Sequence, residues 1–486
     1  MRPNVIAVHR FGLGARLGEP LPDDGQAWLT DQLNAYDPRP AAIAAAPARS
    51  EVSDGLTDFY AAARSGRMAA RMQQPAEAMM ADDGPMPSEP APAGPNVAMQ
   101  ARRMERVRLR ELYVRSVAAR GTAALTTTTP FAERLVHFWS NHFAISAEKP
   151  PVIALAGSFE FDAIRPHVLG RFADLLGAVE RHPAMLVYLD QAQSIGPGSL
   201  AGQRAAANGR KRGLNENLAR EILELHTLGV RTGYDQGDVT EFARALTGWT
   251  VAGLGGGAAR RMARLPAGSF AFAGFMHEPG ARTVLGQSFG QAGEAQAQAV
   301  LDMLATHPAT ARHIATKLAR HFVADVPPPS LVAQLERAFL QSGGDLPTVY
   351  RALIAAPESW VATHSKFKTP WEWSVSAMRA MGAETFVMPN VLGFVSQLGQ
   401  PVWRPGSPAG FDDLAASWAG PDALMRRVEA AERIAARSQG AGDARGLATA
   451  LFGDSLSPAT AAAIARAESP AQGIALLLVS PEFMRR

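Results

Sequence analysis

What most constrains this chain is an apolar period of about 3.6 residues that recurs, with short breaks, from Met99 almost to the end. Such a period lines apolar side chains along one face of a helix, and consecutive segments of this kind must bury those faces against one another. The spacing predicts helices over 99–119, 130–144, 168–190 (two, split at His182–Pro183), 215–228 and 238–248. Further helices are expected over 293–306, 308–324, 330–342, 346–356 and 369–382, and from 410 the tail is helical again to near Phe483. Ahead of them, 22–36 carries Trp28, Leu29 and Leu33 on one face, and 52–71 reads as a second helix.

Only 269–289 breaks the habit. Phe270 and Phe272 alternate with alanines, Glu278-Pro279-Gly280-Ala281 suits a type II turn, and Thr283, Val284 and Leu285 follow. The expected fold is therefore mainly α, a large multi-helix domain with one inserted β-hairpin near 269–289. Prolines at 75, 85, 87, 90, 92 and 95 deny both helix and ladder hydrogen bonds, so 73–97 reads as a disordered linker or insertion. It separates an N-terminal helical segment, 1–72, expected to pack on the main domain, from that domain, 98–486.

Composition removes several functions. The 48 basic and 45 acidic residues nearly cancel, to a net +3, so no nucleic-acid partner is expected. The absence of cysteine removes thiol nucleophiles, disulfides and cysteine-ligated metals, leaving His, Asp, Glu and carbonyl oxygens as possible ligands. No run of roughly 18 apolar residues suggests a membrane span. Met1 to Pro20 holds no apolar export core, which makes a soluble cytoplasmic protein the expectation and a periplasmic one the alternative. There is no phosphate loop and no nucleophile elbow, and His277-Glu278 runs into Pro279-Gly280, which no zinc-protease helix tolerates.

Two helices carry polar groups beside their core stripes. On 215–228, capped by Asn215 and closed at Gly229, Leu218, Ile222 and Leu225 form the apolar face. Asn217, Glu221 and Glu224 line up next to it, Arg220 can bridge Glu216 and Glu224, and His226 lies in the last turn. Glu221 sits at the apolar edge, where a carboxylate is either an internal acceptor or a site residue. On 130–144, His137 and Asn141 share a face among Phe138, Trp139 and Phe143. His142 lies about 140° from His137, too far round for one helix alone to offer both to one metal. A basic stripe, Arg312, His313, Lys317 and Arg320, is either a solvated face or an anion site. Lys366, Lys368, Trp371 and Trp373 are either core anchors or a cation–aromatic patch.

These residues fall in a longer pattern. His137-Phe-Trp-Ser-Asn-His142, Asn215-Glu-Asn-Leu-Ala-Arg through Leu225-His-Thr-Leu-Gly229, and Asp238 to Trp249 are followed by Leu285-Gly286 and His307-Pro-Ala-Thr-Ala-Arg312. Lys317-Leu-Ala-Arg-His-Phe, Gly343-Gly-Asp345, Lys366-Phe-Lys-x-Pro370 and Leu398-Gly-Gln-Pro401 complete it, with Arg10-Phe-Gly-Leu-Gly14 near the start. In this order they closely resemble the large bacterial family called domain of unknown function 1800, from about residue 99 onward. Gly410-Phe411 stands where many members place Trp after Gly. The resemblance implies no activity. It does imply that members often carry export signals and are often encoded beside a sulfatase-like partner.

Two functional expectations follow. One is a metal-assisted hydrolase-type enzyme with its site between the 130–144 and 215–229 helices. Glu221, His137 and Asn217 would be its catalytic groups, with Asn141 orienting, and His137, His142, Glu221 and His226 its candidate metal ligands. The other is a non-catalytic assembly or partner-binding protein whose polar stripe fixes helix register.

Overall fold

The structure, a computed structural model, describes residues 2–78, 97–209, 213–254, 264–363, 366–386, 391–437 and 443–486. Helices dominate it, and the β structure among the described residues is two small antiparallel pairs. No helix among these residues is long and apolar enough to cross a membrane. Two long helices, α1 (Arg49–Ala78) and α2 (Val97–Thr126), pack against each other. α1 thus runs into the stretch read as linker and α2 begins at its last residue, Val97, while 79–96 lies outside the described residues.

The next helix, α3 (Pro130–His142), starts with Pro130 in its first turn, where a missing N–H costs nothing. It is buried on almost every side, so it runs through the core rather than over it. Phe131 meets Phe11, Phe322 and Tyr350 edge-on, and the Trp139 indole N–H donates to the Tyr350 hydroxyl at 2.6 Å. Pro150–Ser158 is a helix that the sequence pattern did not reveal. Its apolar residues lie all round, and a helix buried on every face has no period to read. Leu200–Ala207 is another short helix, between residues 190 and 215, that the apolar period did not mark.

The segment read as one helix over 215–228 is α4 (Asn217–Glu221) followed by a π turn, Ile222–His226. Its N-cap is Glu216 rather than Asn215, which accepts the Asn217 N–H at 2.9 Å just ahead of it, and Arg220 reaches Glu216 and Glu224 at 3.5 Å each. The wider π turn shifts the phase of the last residues. Leu223 and His226 are buried and Leu225 is only half-buried, so the apolar face ends one residue out of step with a pure α period.

Helix α5 (Gln236–Leu246) opens with a capping box between Asp235 and Asp238. The strands near 269–289 exist, but their partners differ from the expected single hairpin. β1 (Trp249–Val251) pairs with β2 (Phe270–Phe272), whereas β3 (Arg282–Val284) and β4 (Gln287–Phe289) make a tight hairpin of their own. The expected turn at 278–281 is drawn elsewhere by its own side chains. His277 Nδ1 meets the Thr247 carbonyl at 2.9 Å, and Glu278 accepts the Gly198 N–H at 2.7 Å. The real hairpin turns at Leu285-Gly286, both with positive φ, as a two-residue mirror-type turn requires.

Two more helices frame the site. α6 (Pro308–Phe322) carries the basic stripe, and α7 (Pro370–Ala380) begins with a second capping box, Thr369 with Glu372.

Candidate functional site

A cavity of about 450 Å³ opens at the C-terminal half of α3, bounded by the end of α6, the start of α7 and the loop 400–413. The loop is held there by side chains of the helices. Asn141 clasps Phe411 reciprocally, donating to its carbonyl at 2.9 Å and accepting its N–H at 2.8 Å. Gly410, at φ +81°, passes so close that a Cβ would stand 2.3 Å from the Asn141 carbonyl oxygen, so only glycine fits. Further along, Asp413 accepts from His321 Nδ1 at 2.8 Å, and Lys366 reaches both the Asp413 carbonyl and Asp325, the latter at 2.6 Å.

A buried ionic network forms part of the cavity wall, with Glu372, His321 and Asp413 in the lining and Arg134 and Arg486 behind them. Arg134 donates to Glu372 at 2.5 Å and to the Gly12 carbonyl at 2.8 Å, and Arg486 lies 3.1 Å from Glu372 and 3.7 Å from Asp413. Burial alone would raise the Glu372 carboxyl, but Arg134 and Arg486 bring it down to about 2. Asp413 is likewise held far below the usual carboxylate range, because His321, Lys366 and Arg486 outweigh its burial. Both carboxylates are therefore ionised and already engaged.

The histidines are fixed by what they touch. His321 gives its Nδ1–H to Asp413 and accepts Arg134 Nε at 3.3 Å on Nε2, which leaves neither nitrogen free. Burial lowers its pKa to about 4. His137 accepts the Trp371 indole N–H at 3.3 Å, and its other nitrogen points at Glu133 from 3.6 Å. His142 turns Nε2 to the His226 carbonyl at 3.1 Å, and its Nδ1 has no hydrogen-bond partner among the described residues. Burial, helped by Lys317, pushes its pKa well down, so the ring is neutral.

The cations differ from the carboxylates. Arg120, from α2, spends its Nε on both oxygens of Glu160, at 3.0 and 2.9 Å, while Trp403 braces Glu160 at 2.9 Å. Its guanidinium lies 4.3 Å from the Trp371 ring centroid. Among the described residues its side-chain hydrogen bonds are the two from Nε to Glu160, with none from the terminal nitrogens, and the residue lines the cavity. Lys317 and Arg320 line it too; among the described residues neither forms a salt bridge, and Arg320 Nε donates to the Asp325 carbonyl at 3.3 Å. Burial brings Lys317 down to about 8 against the opposing pull of Asp413.

Of the expected site residues, His137 and His142 line the cavity, and Asn141 does so while holding its loop. Glu221, Asn217 and His226 are not part of its lining. Asn217 is exposed, and Glu221 is half-buried, its carboxyl raised by burial. His226 is carried inward by the π turn to meet Glu180 at 2.7 Å, and it packs edge-on against Phe143. His137, His142, Glu221 and His226 therefore do not converge on one point. Among the described residues no group of three or more His, Asp or Glu side chains is placed to hold a metal ion. α3 meets the π turn that follows α4 through the His142 ring and the His226 carbonyl. Trp371 and Trp373 are core anchors, and Trp371 also forms the face against Arg120.

Arg120, Glu160, Trp403, Glu372 and Asp413 were not singled out by sequence. The Thr369-x-x-Glu372 box was the one readable signal among them. The protein is thus mainly helical, with a cavity at the end of α3 that both cations (Arg120, Lys317, Arg320) and carboxylates (Glu372, Asp412, Asp413) line. The chain belongs to the family described as Protein of unknown function (DUF1800), whose model matches residues 6–485. No curated protein and no solved structure matches it.

Proposed function

We propose that this protein binds a small anionic molecule in the cavity at the end of α3. The observation that carries the reading is Arg120. Its Nε is tied to Glu160, its plane is packed on Trp371, and its terminal nitrogens are left for the cavity. A guanidinium held in this way has lost its rotamer freedom before any ligand arrives, and its fork matches the two oxygens of a carboxylate or phosphate. Lys317 and Arg320 add positive charge that, among the described residues, no carboxylate pairs with in a salt bridge. Of the two readings of the basic stripe, an anion site suits these two residues, while Arg312 is a solvated cation paired with Glu336 at 3.2 Å.

Calorimetric titration with acetate, phosphate and sulfate tests this, comparing the parent with Arg120→Lys. The lysine keeps a charge opposite Glu160 but loses the fork. Binding of at least one anion, weakened by about tenfold or more in the variant, is expected, since a bidentate charged contact is worth roughly 1.5–3 kcal/mol. No heat with any of the three anions would overturn the proposal.

A further inference from the structure

Resting on that anion-binding reading, we infer that the ligand is a dianion with an anionic group at each end, one for Arg120 and one for Lys317 with Arg320. The cations stand on different flanks of α3. Arg120 comes from α2 on the His137 flank, stacked on the Trp371 indole that hydrogen-bonds His137. Lys317 and Arg320 come from α6, which packs on the other flank, with Phe138 5.3 Å from His321 and His142 6.0 Å from His313. Positions 137 and 142 point about 140° apart on a helix roughly 10 Å across. The two poles therefore meet the cavity from different sides of α3, which suits two charged groups better than one.

Lys317 and Arg320 are three residues apart and share a face of α6, so together they can hold a single group. Of the rest of the lining, Glu372 and Asp413 are carboxylates already held in ion pairs. Asn141 is committed to Phe411, and Ile145, Pro401 and Val402 are apolar. Those apolar residues suit a short carbon chain joining two charged ends, and one cavity contains them together with both poles.

The test is a titration series at low ionic strength. Succinate, glutarate and adipate, and the phosphonocarboxylates of matching length, are compared with butyrate, valerate and hexanoate. Parent, Arg120→Lys and Lys317→Met are each titrated, with circular dichroism confirming that the variants are folded. One dianion should bind at least about tenfold more tightly than the monoanion of its length, and each variant should erase that advantage. Equal affinities for mono- and dianions at every length, or an effect from only one of the two variants, would overturn the two-pole inference while leaving anion binding intact. Failure of every acid to bind, together with phosphate and sulfate, would remove both.

Discussion

At the residue scale, ionisable groups are buried in numbers that make stability depend on pH, and the sign follows from which form the fold admits. His313 and His321 are brought to about 4, and His182 to about 3, in each case first by burial. All three are neutral in the fold, while in the unfolded chain they titrate near 6.5. As pH drops through 6.5 the unfolded chain takes up protons that the folded one refuses, so stability falls from there toward pH 4. Glu372 works in the next window down. Its contribution is complete above its unfolded value near 4.5 and is lost as pH falls toward about 2. Urea midpoints at pH 7.5, 6, 5 and 4 should therefore decline steadily from about 6.5. A flat profile between 7.5 and 5 would mean that these histidines are protonated in the fold.

At the element scale, the apolar period located the helices well and their ends less well, and it failed where the backbone departs from 3.6 residues per turn. The π turns at Ala7–Phe11, Phe159–Ile164 and Ile222–His226 each bury a charged or polar group, Arg10, Glu160 and His226. A one-residue phase slip leaves no composition signal, so the inward turn of His226 could not be read from its neighbours. The strand pairing was hidden for a different reason. Periodicity marks a strand but does not name its partner, and the partner of Phe270–Phe272 lies across a glycine-rich loop. Asp238 shows how one side chain couples two such elements. One oxygen caps α5 by accepting the Asp235 N–H at 3.0 Å, and the other accepts the Leu285 N–H at 2.7 Å in the β3–β4 turn. Asp238→Ala should cost about 1–2 kcal/mol in urea denaturation. It should also speed amide exchange at Leu285, because that residue holds a positive φ that its own side chain disfavours. Unchanged exchange there would show that the turn stands without the aspartate.

For the whole molecule, the fold class and the helical frame were legible because they are sums over many local periods. The cavity was not, because its groups come from positions as distant as 120, 160, 317, 372 and 413, and a period gives a face but not what faces it. The same long-range wiring makes a prediction about cooperativity. The first residues are not an appendage. Val5, Ile6, Val8, Phe11 and Leu13 are buried, and Phe11 joins the aromatic cluster with Phe131 and Phe322. Their backbone also satisfies buried cations of the interior, Arg134 at the Gly12 carbonyl (2.8 Å) and Arg379 at the Gly14 carbonyl (3.2 Å). In return Arg10 donates to the Ser359 carbonyl at 2.8 Å, and His9 stacks on Phe452 at 4.5 Å. Five buried apolar side chains at about 1.5–3 kcal/mol each already match a typical total stability of about 5–15 kcal/mol. Removing their carbonyls also leaves Arg134 and Arg379 with unmet donors in the core. A variant lacking residues 2–16 should therefore give no cooperative thermal transition by circular dichroism, although every residue that lines the cavity is still present. A sharp transition in that variant, with anion binding retained, would show that the helices from α2 onward fold as a unit without the N-terminal residues.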